Sequence, residues 1–479
     1  MNYSQFLSMI PEAALVAVLV ILFFADFALH KSEKKHTVLS YLTMVLLLAQ
    51  TLLCLTAEPD YAFGGLYVTS AISGVMKTIL TAGTLIVVIM AQAWIENGAR
   101  KYEGEFYMLV VSTLLGMYIM ISSGNFLMFF LGLETASVPM ACLVAFDKMK
   151  KLSAEAAAKY ILTATFSSGV MLYGISLLYG ATGTLYFFDM VDKFRQGIPQ
   201  LTMVIAGLVF FFSGLGFKLS LVPFHLWTAD TYQGAPTPVT GYLSVISKGA
   251  AALALCIILM RVFQPLIEYW QVLLGTVVVL TITIGNLFAI RQSELKRFMA
   301  FSSISQAGYI MLAVMGNSAL GVSALTYYVL VYVVANMAVF TVINVVEHNN
   351  GGRTDMAAYN GFYQTNPKLS FLMTIALFSL AGIPPFAGMF SKFFVFMAAA
   401  GEGSFWAYFV VFVALVNTVV SLYYYLLIVK AMYITKTDTP LPTFRSDCYT
   451  RLALGLCTAG VIAFGVMSFV YGWIAHAAA

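Results

Sequence analysis

The chain has 479 residues, 61% of them hydrophobic and only 10% charged, with a net charge of +4 and a mean hydropathy of +0.89. That balance excludes a soluble enzyme or a nucleic-acid-binding module, and apolar runs long enough to cross a bilayer recur along the whole length, leaving no room for a separate soluble domain. The five cysteines form no CxxC pair and no GxGxxG or P-loop follows a candidate strand, so neither a metal nor a nucleotide or flavin cofactor is expected on this chain.

The runs predict an all-α polytopic membrane protein of about fourteen transmembrane helices. In order they are Ile10–Leu29, Val38–Leu55, Met76–Ile95, Phe106–Ser122, Phe126–Phe146, Ala156–Tyr179 and Leu201–Tyr232. Then come Pro238–Met260, Trp270–Ile290, Phe298–Met315, Leu320–Val346, Leu369–Ala399, Phe405–Ile434 and Leu452–Ile474. The first run is too long, and too poor in basic residues before it, to read as a cleaved signal peptide.

Lysine and arginine collect in cytoplasmic loops. With the amino terminus set outside, seventeen basic residues fall in inner loops and only three, Lys193, Arg195 and Arg261, in outer ones. One missed span would reverse every later loop, so this asymmetry supports the count. It predicts a multi-pass inner-membrane protein of a bacterial cell with both termini on the outer, periplasmic side.

Two runs are overlong. The stretch from Gln200 to Tyr232 has about 33 residues where a straight crossing needs roughly 20. Pro223, after Gly214 and Gly216, removes a helical hydrogen bond near Lys218, and Pro384 and Pro385, after Gly382, do the same near Lys392. Such breaks are tolerated in a membrane only where protein or water satisfies the freed backbone. The two broken helices lie five spans apart, an odd offset that inverts one copy relative to the other, as in transporters. Two inverted five-helix repeats are therefore expected at 105–262 and 263–435, after a three-helix segment at 1–104 and before a terminal helix at 436–479.

Ionisable residues at mid-bilayer cost about 2.5 to 3.5 kcal/mol each on insertion scales, and four stand there: Glu134, Lys218, Lys248 and Lys392. A Glu134–Lys218 pair that only fixes packing would not account for Lys248 or Lys392, which have no acid of their own at matching depth. A row of desolvated lysines with one carboxylate suits proton transfer near neutral pH, since burial and neighbouring cations loosen the hold of an ammonium on its proton. Thr240, Ser244 and Lys248 fall four apart on one helical face, which would give Lys248 hydroxyl neighbours. His225 is a possible auxiliary carrier, and equally a structural histidine. Lys159 has Glu155 one turn earlier, an adequate account of it at the membrane edge. Glu12 and Asp26 lie near interfaces and receive no role. Tyr423, Tyr424 and Tyr425 read as belt or packing aromatics. Ser302, Ser303, Ser305 and Gln306 would be expensive against lipid and should face a hydrated interior.

The segments GLGFKLSLVPFHLWTADTYQGAPTPV, LKRFMAFSSISQAGY and SLAGIPPFAGMFSKFF closely resemble the antiporter-like membrane subunits of respiratory complex I, the proton-pumping NADH:quinone oxidoreductase. The resemblance covers essentially the whole chain. It implies fourteen helices in two inverted repeats, each a half-channel, and a relay through the positions of Glu134, Lys218, Lys248 and Lys392. Many relatives carry histidine where this chain has Gln306, which cannot titrate, so a step there must be replaced by water or skipped. The resemblance implies no cofactor in this chain. NADH, FMN, iron-sulfur clusters and quinone would sit in partner subunits, and the neighbours would be other membrane subunits, including further antiporter-like ones, and the lipid bilayer. The alternatives are the related membrane chain of a multisubunit sodium/proton antiporter and a structural membrane scaffold with no ion path.

Overall fold

The computed structural model describes residues 3–438 and 440–479. Helix dominates because a segment in hydrocarbon must satisfy its own backbone donors and acceptors. Thirteen of the described helices are long and apolar enough to cross a membrane. A further crossing consists of two short helices end to end, so the expected fourteen are present.

Helices α1 (Ile10–Ala28), α2 (Lys35–Leu55) and α3 (Ala71–Trp94) come first. A small antiparallel hairpin of β1 (Asp60–Ala62) and β2 (Tyr67–Thr69), absent from the sequence expectation, lies between the last two. Next are α4 (Glu103–Ile121), α5 (Phe126–Val144), α6 (Lys151–Thr182) and a short amphipathic α7 (Phe187–Gln196). The first broken crossing is α8 (Leu201–Leu219) and α9 (Trp227–Gly234). After it, α10 (Thr237–Tyr242) and α11 (Lys248–Arg261) are joined by a π turn over Leu243–Ser247.

The second half repeats the order: α12 (Ile267–Ile290), α13 (Leu295–Leu312) and α14 (Ala319–Asn349), then the short α15 (Phe362–Thr365). The broken crossing α16 (Pro367–Ala381) and α17 (Ala387–Ala400) follows, then α18 (Phe405–Tyr433). The last expected span is two helices, α19 (Cys448–Val466) and α20 (Ser468–Ala478), parted at Met467. Its cause is visible. The Tyr327 hydroxyl donates to the carbonyl of Phe464 at 2.6 Å, and Gly465 lies against the backbone of Pro385 and Ala387 at the second break, so α19 ends where it meets that break.

Helices α13 and α14 are buried along nearly their whole length, and α1, α2, α6, α18 and α19 form the rim. Exposed apolar side chains such as Phe24, Phe27, Leu162, Phe166, Phe412 and Val419 stud that rim, as a lipid-facing surface requires. Glycines let paired helices approach closely in both halves. A Cβ on Gly132 of α5 would stand 2.5 Å from the Met120 nitrogen of α4, and one on Gly285 of α12 would stand 2.8 Å from the Ser305 nitrogen of α13.

Overpacking at such a contact costs about 1–3 kcal/mol. Gly132→Ala is expected to lower the melting temperature of the detergent-solubilised protein by several degrees, whereas Gly169→Ala in α6, where a Cβ meets nothing within 4 Å, should leave it unchanged or slightly raised.

Candidate functional site

The two helix breaks position the lysines. Helix α8 stops at Leu219, and Ser220 takes a left-handed conformation at φ 61°. Several of the freed groups find partners. The carbonyl of Phe217 accepts from the Trp227 indole N–H at 3.0 Å, the N–H of Leu221 returns to Gly216 at 2.8 Å, and Val222 N–H donates to Thr281 Oγ1 at 3.0 Å. Helix α16 ends at Ala381 with Gly382 at φ 89°, a conformation glycine adopts without cost. Lys392 Nζ donates to the Ala381 carbonyl at 3.0 Å, and Gly388 N–H donates to Ser379 Oγ at 3.2 Å.

Lys218, Lys248 and Lys392 are 3%, 1% and 4% exposed, so all three are sealed from bulk solvent. Each is bonded to neutral oxygen. Lys218 Nζ donates to Ser137 Oγ of α5 at 2.9 Å and to the Tyr160 hydroxyl of α6 at 3.3 Å. Glu134 stands one turn before Ser137 and accepts from Ser168 of α6, so among the described residues it does not form a direct ion pair with Lys218. Lys248 Nζ donates to Ser303 Oγ of α13 at 2.8 Å, and that hydroxyl also meets the Tyr232 hydroxyl at 3.1 Å and the Ser244 carbonyl at 3.3 Å. Each lysine also lies near a tyrosine ring: Tyr160 at 6.0 Å, Tyr232 at 5.6 Å and Tyr309 at 5.0 Å.

Beyond Lys248 the polar groups continue along α13. Ser302 Oγ meets the Tyr425 hydroxyl at 2.5 Å, and Gln306 Nε2 donates to Tyr425 at 3.1 Å and to the Leu380 carbonyl at 3.3 Å. Tyr328 donates to Gln306 Oε1. Gln306, Tyr328, Tyr332, Ser379, Ser391 and Lys392 line one cavity of about 10 Å³, close to the space of a single water. The structure thus gathers Lys218, Lys248, Gln306 and Lys392 along the buried middle of the bundle. Between Lys218 and Lys248, Tyr160 packs edge-on against Trp227 at 5.2 Å, and Trp227 opens the same α9 that carries Tyr232.

Several expectations need correction. The π turn intervenes between Ser244 and Lys248, and its wider winding breaks the four-residue face drawn through Thr240, Ser244 and Lys248. Ser244 instead accepts from Asn336 Nδ2 at 2.6 Å and reaches Lys248 only through Ser303. Of the belt or packing tyrosines, Tyr423 is exposed, Tyr424 is buried and donates to Asn286 at 2.9 Å, and Tyr425 is buried and bonded within the polar row. Glu12 is paired with Lys77 at 2.6 Å, both buried, and also accepts from the Tyr67 hydroxyl at 3.0 Å. His225 is half-buried beside exposed Pro223 and Leu226, with Nδ1 unpartnered, and bonds to none of the three lysines. Lys159 keeps its pair with Glu155 at 2.7 Å and adds Asp230 at 2.7 Å, which also holds Arg297 at 2.7 Å. This partly exposed cluster ties α6 to α9 and α13. Among the described residues no group of acidic, histidine or cysteine side chains could hold a metal.

The same fold occurs in known proteins. Residues 123–418, which span every residue from Glu134 to Lys392, match the family described as NADH:quinone oxidoreductase/Mrp antiporter, transmembrane. The chain belongs to that family. Within the family, NADH-quinone oxidoreductase subunit N of Phocaeicola vulgatus is 56% identical over 472 residues, 98% of each chain. A chain in the structure of respiratory complex I from Thermus thermophilus with bound aureothin matches at a TM-score of 0.81 and 31% identity, covering 96% of this chain and 98% of that one. A chain of the Mrp complex from a Dietzia species matches at 0.83 with 20% identity over 100% and 97%, a likeness of fold alone.

Gln306→Leu would strand the Tyr425, Tyr328 and Leu380 groups, and an unmet buried polar group costs about 1–3 kcal/mol. A lower melting temperature is expected for Gln306→Leu, and most of the loss should be recovered in Gln306→His, which can still donate and accept.

Proposed function

We propose that this chain is subunit N of a bacterial-type proton-pumping NADH:quinone oxidoreductase and carries protons across the membrane. The membrane-embedded chain has no redox centre of its own. NADH, FMN, iron-sulfur clusters and quinone belong to partner subunits, and quinone reduction there supplies the driving force. The observation that carries this reading is that three buried lysines are each bonded to a neutral hydroxyl or carbonyl and, among the described residues, none to a carboxylate. A lysine locked to an acid is a fixed ion pair. One held by hydroxyl or carbonyl oxygen can give up its proton without leaving an unpaired anion behind.

In this reading protons enter from the cytoplasm towards Lys218, move laterally through Ser303 and Lys248, pass the Gln306 region by the small cavity, and leave at Lys392. Gln306 orders that cavity and takes no proton itself. Glu134, one turn from the serine that binds Lys218, tunes the charge on Lys218 without neutralising it by contact. The first half-channel occupies 105–262 and the inverted second 263–435. Both termini face the periplasm, as the loop charges favour.

The relay is tested by Lys248→Met in the assembled complex, with NADH oxidation and proton uptake into inverted vesicles measured together. Loss of a positioned proton carrier slows transfer by about 10²-fold or more, so uptake per NADH or NADH turnover should fall with assembly intact. Unchanged pumping and turnover would reject the relay, and a change in assembly alone would favour a scaffold. A chain from a sodium/proton antiporter would leave the membrane in mild detergent without flavin or iron-sulfur partners. The orientation is tested separately, since alkaline phosphatase fused after Ala479 should be active in intact cells.

A further inference from the structure

Only three basic residues lie on the face of the bundle that the loop charges assign outside, and two of them, Arg195 and Arg261, line the same cavity of about 620 Å³. The third, Lys193, is engaged with the Thr182 carbonyl that ends α6. One wall of the cavity is a single face of α7: Phe188, Val191, Asp192 and Arg195 recur at helical spacing and all four line it. The opposite wall is the end of α11, with Ile257, Met260 and Arg261. The cavity also reaches Ser70, the N-cap of α3, and Ser73 in its first turn, at a helix N-terminus that carries partial positive charge.

The charges are incompletely matched from within the chain. Arg261 has no hydrogen-bond or ion-pair partner among the described residues, and Arg195 meets Asp192 only at 3.9 Å with both side chains largely exposed. Two guanidinium groups that share a cavity with a helix N-terminus, and with Asp192 as the one carboxylate in its lining, form a receptor for an anion that can accept several donors at once, which is the chemistry of a phosphate. A free inorganic ion would not use the apolar half of the cavity. Phe188, Val191, Ile257 and Met260 supply a hydrocarbon wall beside the cations, and α7 has the amphipathic build of a helix lying in the plane of a membrane surface.

We propose that this cavity binds the phosphodiester headgroup of an anionic phospholipid, with its glycerol and first acyl carbons against the apolar wall. The lipid ties α7 and the end of α11 to the start of α3. This site is independent of the proton-relay reading, and it holds whichever leaflet meets this face.

The test uses the purified membrane complex containing the full chain, and phosphatidylglycerol carrying a photoactivatable diazirine near the glycerol. Light-driven cross-links are expected on peptides of α7 and the end of α11, competed by unlabelled phosphatidylglycerol but not by phosphatidylcholine or inorganic phosphate. The Arg195→Gln/Arg261→Gln double variant should weaken labelling about tenfold, and the corresponding lysine double variant should recover most of it. If the double variant fails to assemble, Arg261→Gln alone serves, because its side chain has no partner among the described residues to lose. Labelling unchanged in the glutamine variants, equal competition by phosphatidylcholine, full competition by inorganic phosphate, or a neighbouring protein chain cross-linked across the cavity in place of lipid would each overturn the proposal.

Discussion

Every backbone group and every ammonium sealed within this bundle must find its partner inside the protein, because hydrocarbon supplies none. That requirement links the helix breaks to the lysines. At the first break, Trp227 and Thr281 take up the backbone groups that α8 releases, and Lys218 sits in the last helical turn before the gap. At the second, the ammonium of Lys392 itself takes up the released carbonyl of Ala381. Lys218 thus belongs to the last turn of α8, and the Lys392 ammonium reaches the carboxyl end of α16, where the backbone dipole is negative. The two breaks differ in that the lysine stands before the break in one and after it in the other, and bonds to side-chain hydroxyls in the first and to a helix-end carbonyl in the second.

The polar row is built from hydroxyls and amides. Ser137, Tyr160, Tyr232, Ser303, Tyr328 and Tyr425 join Gln306 in a set of groups that donate and accept without carrying charge. Serine and tyrosine can rotate a hydroxyl to hand on a hydrogen bond, whereas a row of carboxylates at this depth would bind the lysines as fixed pairs. The chain does contain one such fixed pair, Glu12 with Lys77, but in α1 and α3 and outside the row. That contrast separates a lysine paired with an acid from lysines held by neutral oxygen.

Much of this was legible in the sequence, for physical reasons. A run longer than one bilayer crossing with proline inside it must break, and a lysine in the middle of such a run cannot reach an interface, so both broken helices and the four central charges could be located. What stayed hidden depended on contacts remote in the chain. The partner of Lys248 is Ser303, on a helix in the other half, and the π turn that aims Lys248 at it leaves no glycine or proline as a marker. Tyr425 looked like its neighbours Tyr423 and Tyr424 because a tyrosine triplet does not say which ring points inward. Glu12 and Lys77 are 65 residues apart, and only the packing of α1 and α3 against α2 and α4 brings them together. The parting of α19 from α20 at Met467 has no local cause at all, since it arises where Tyr327 and the second break press on the helix end.

The bond from Lys392 to the Ala381 carbonyl makes the occupancy of a proton and the shape of the main chain two readings of one equilibrium. With its charge in place, the side chain clamps the carboxyl end of α16. Once neutral, it keeps an N–H to offer but loses the attraction of a full charge to the helix end, and the clamp slackens. By reciprocity, any force that draws α16 and α17 apart at Gly382 must also ease the departure of that proton.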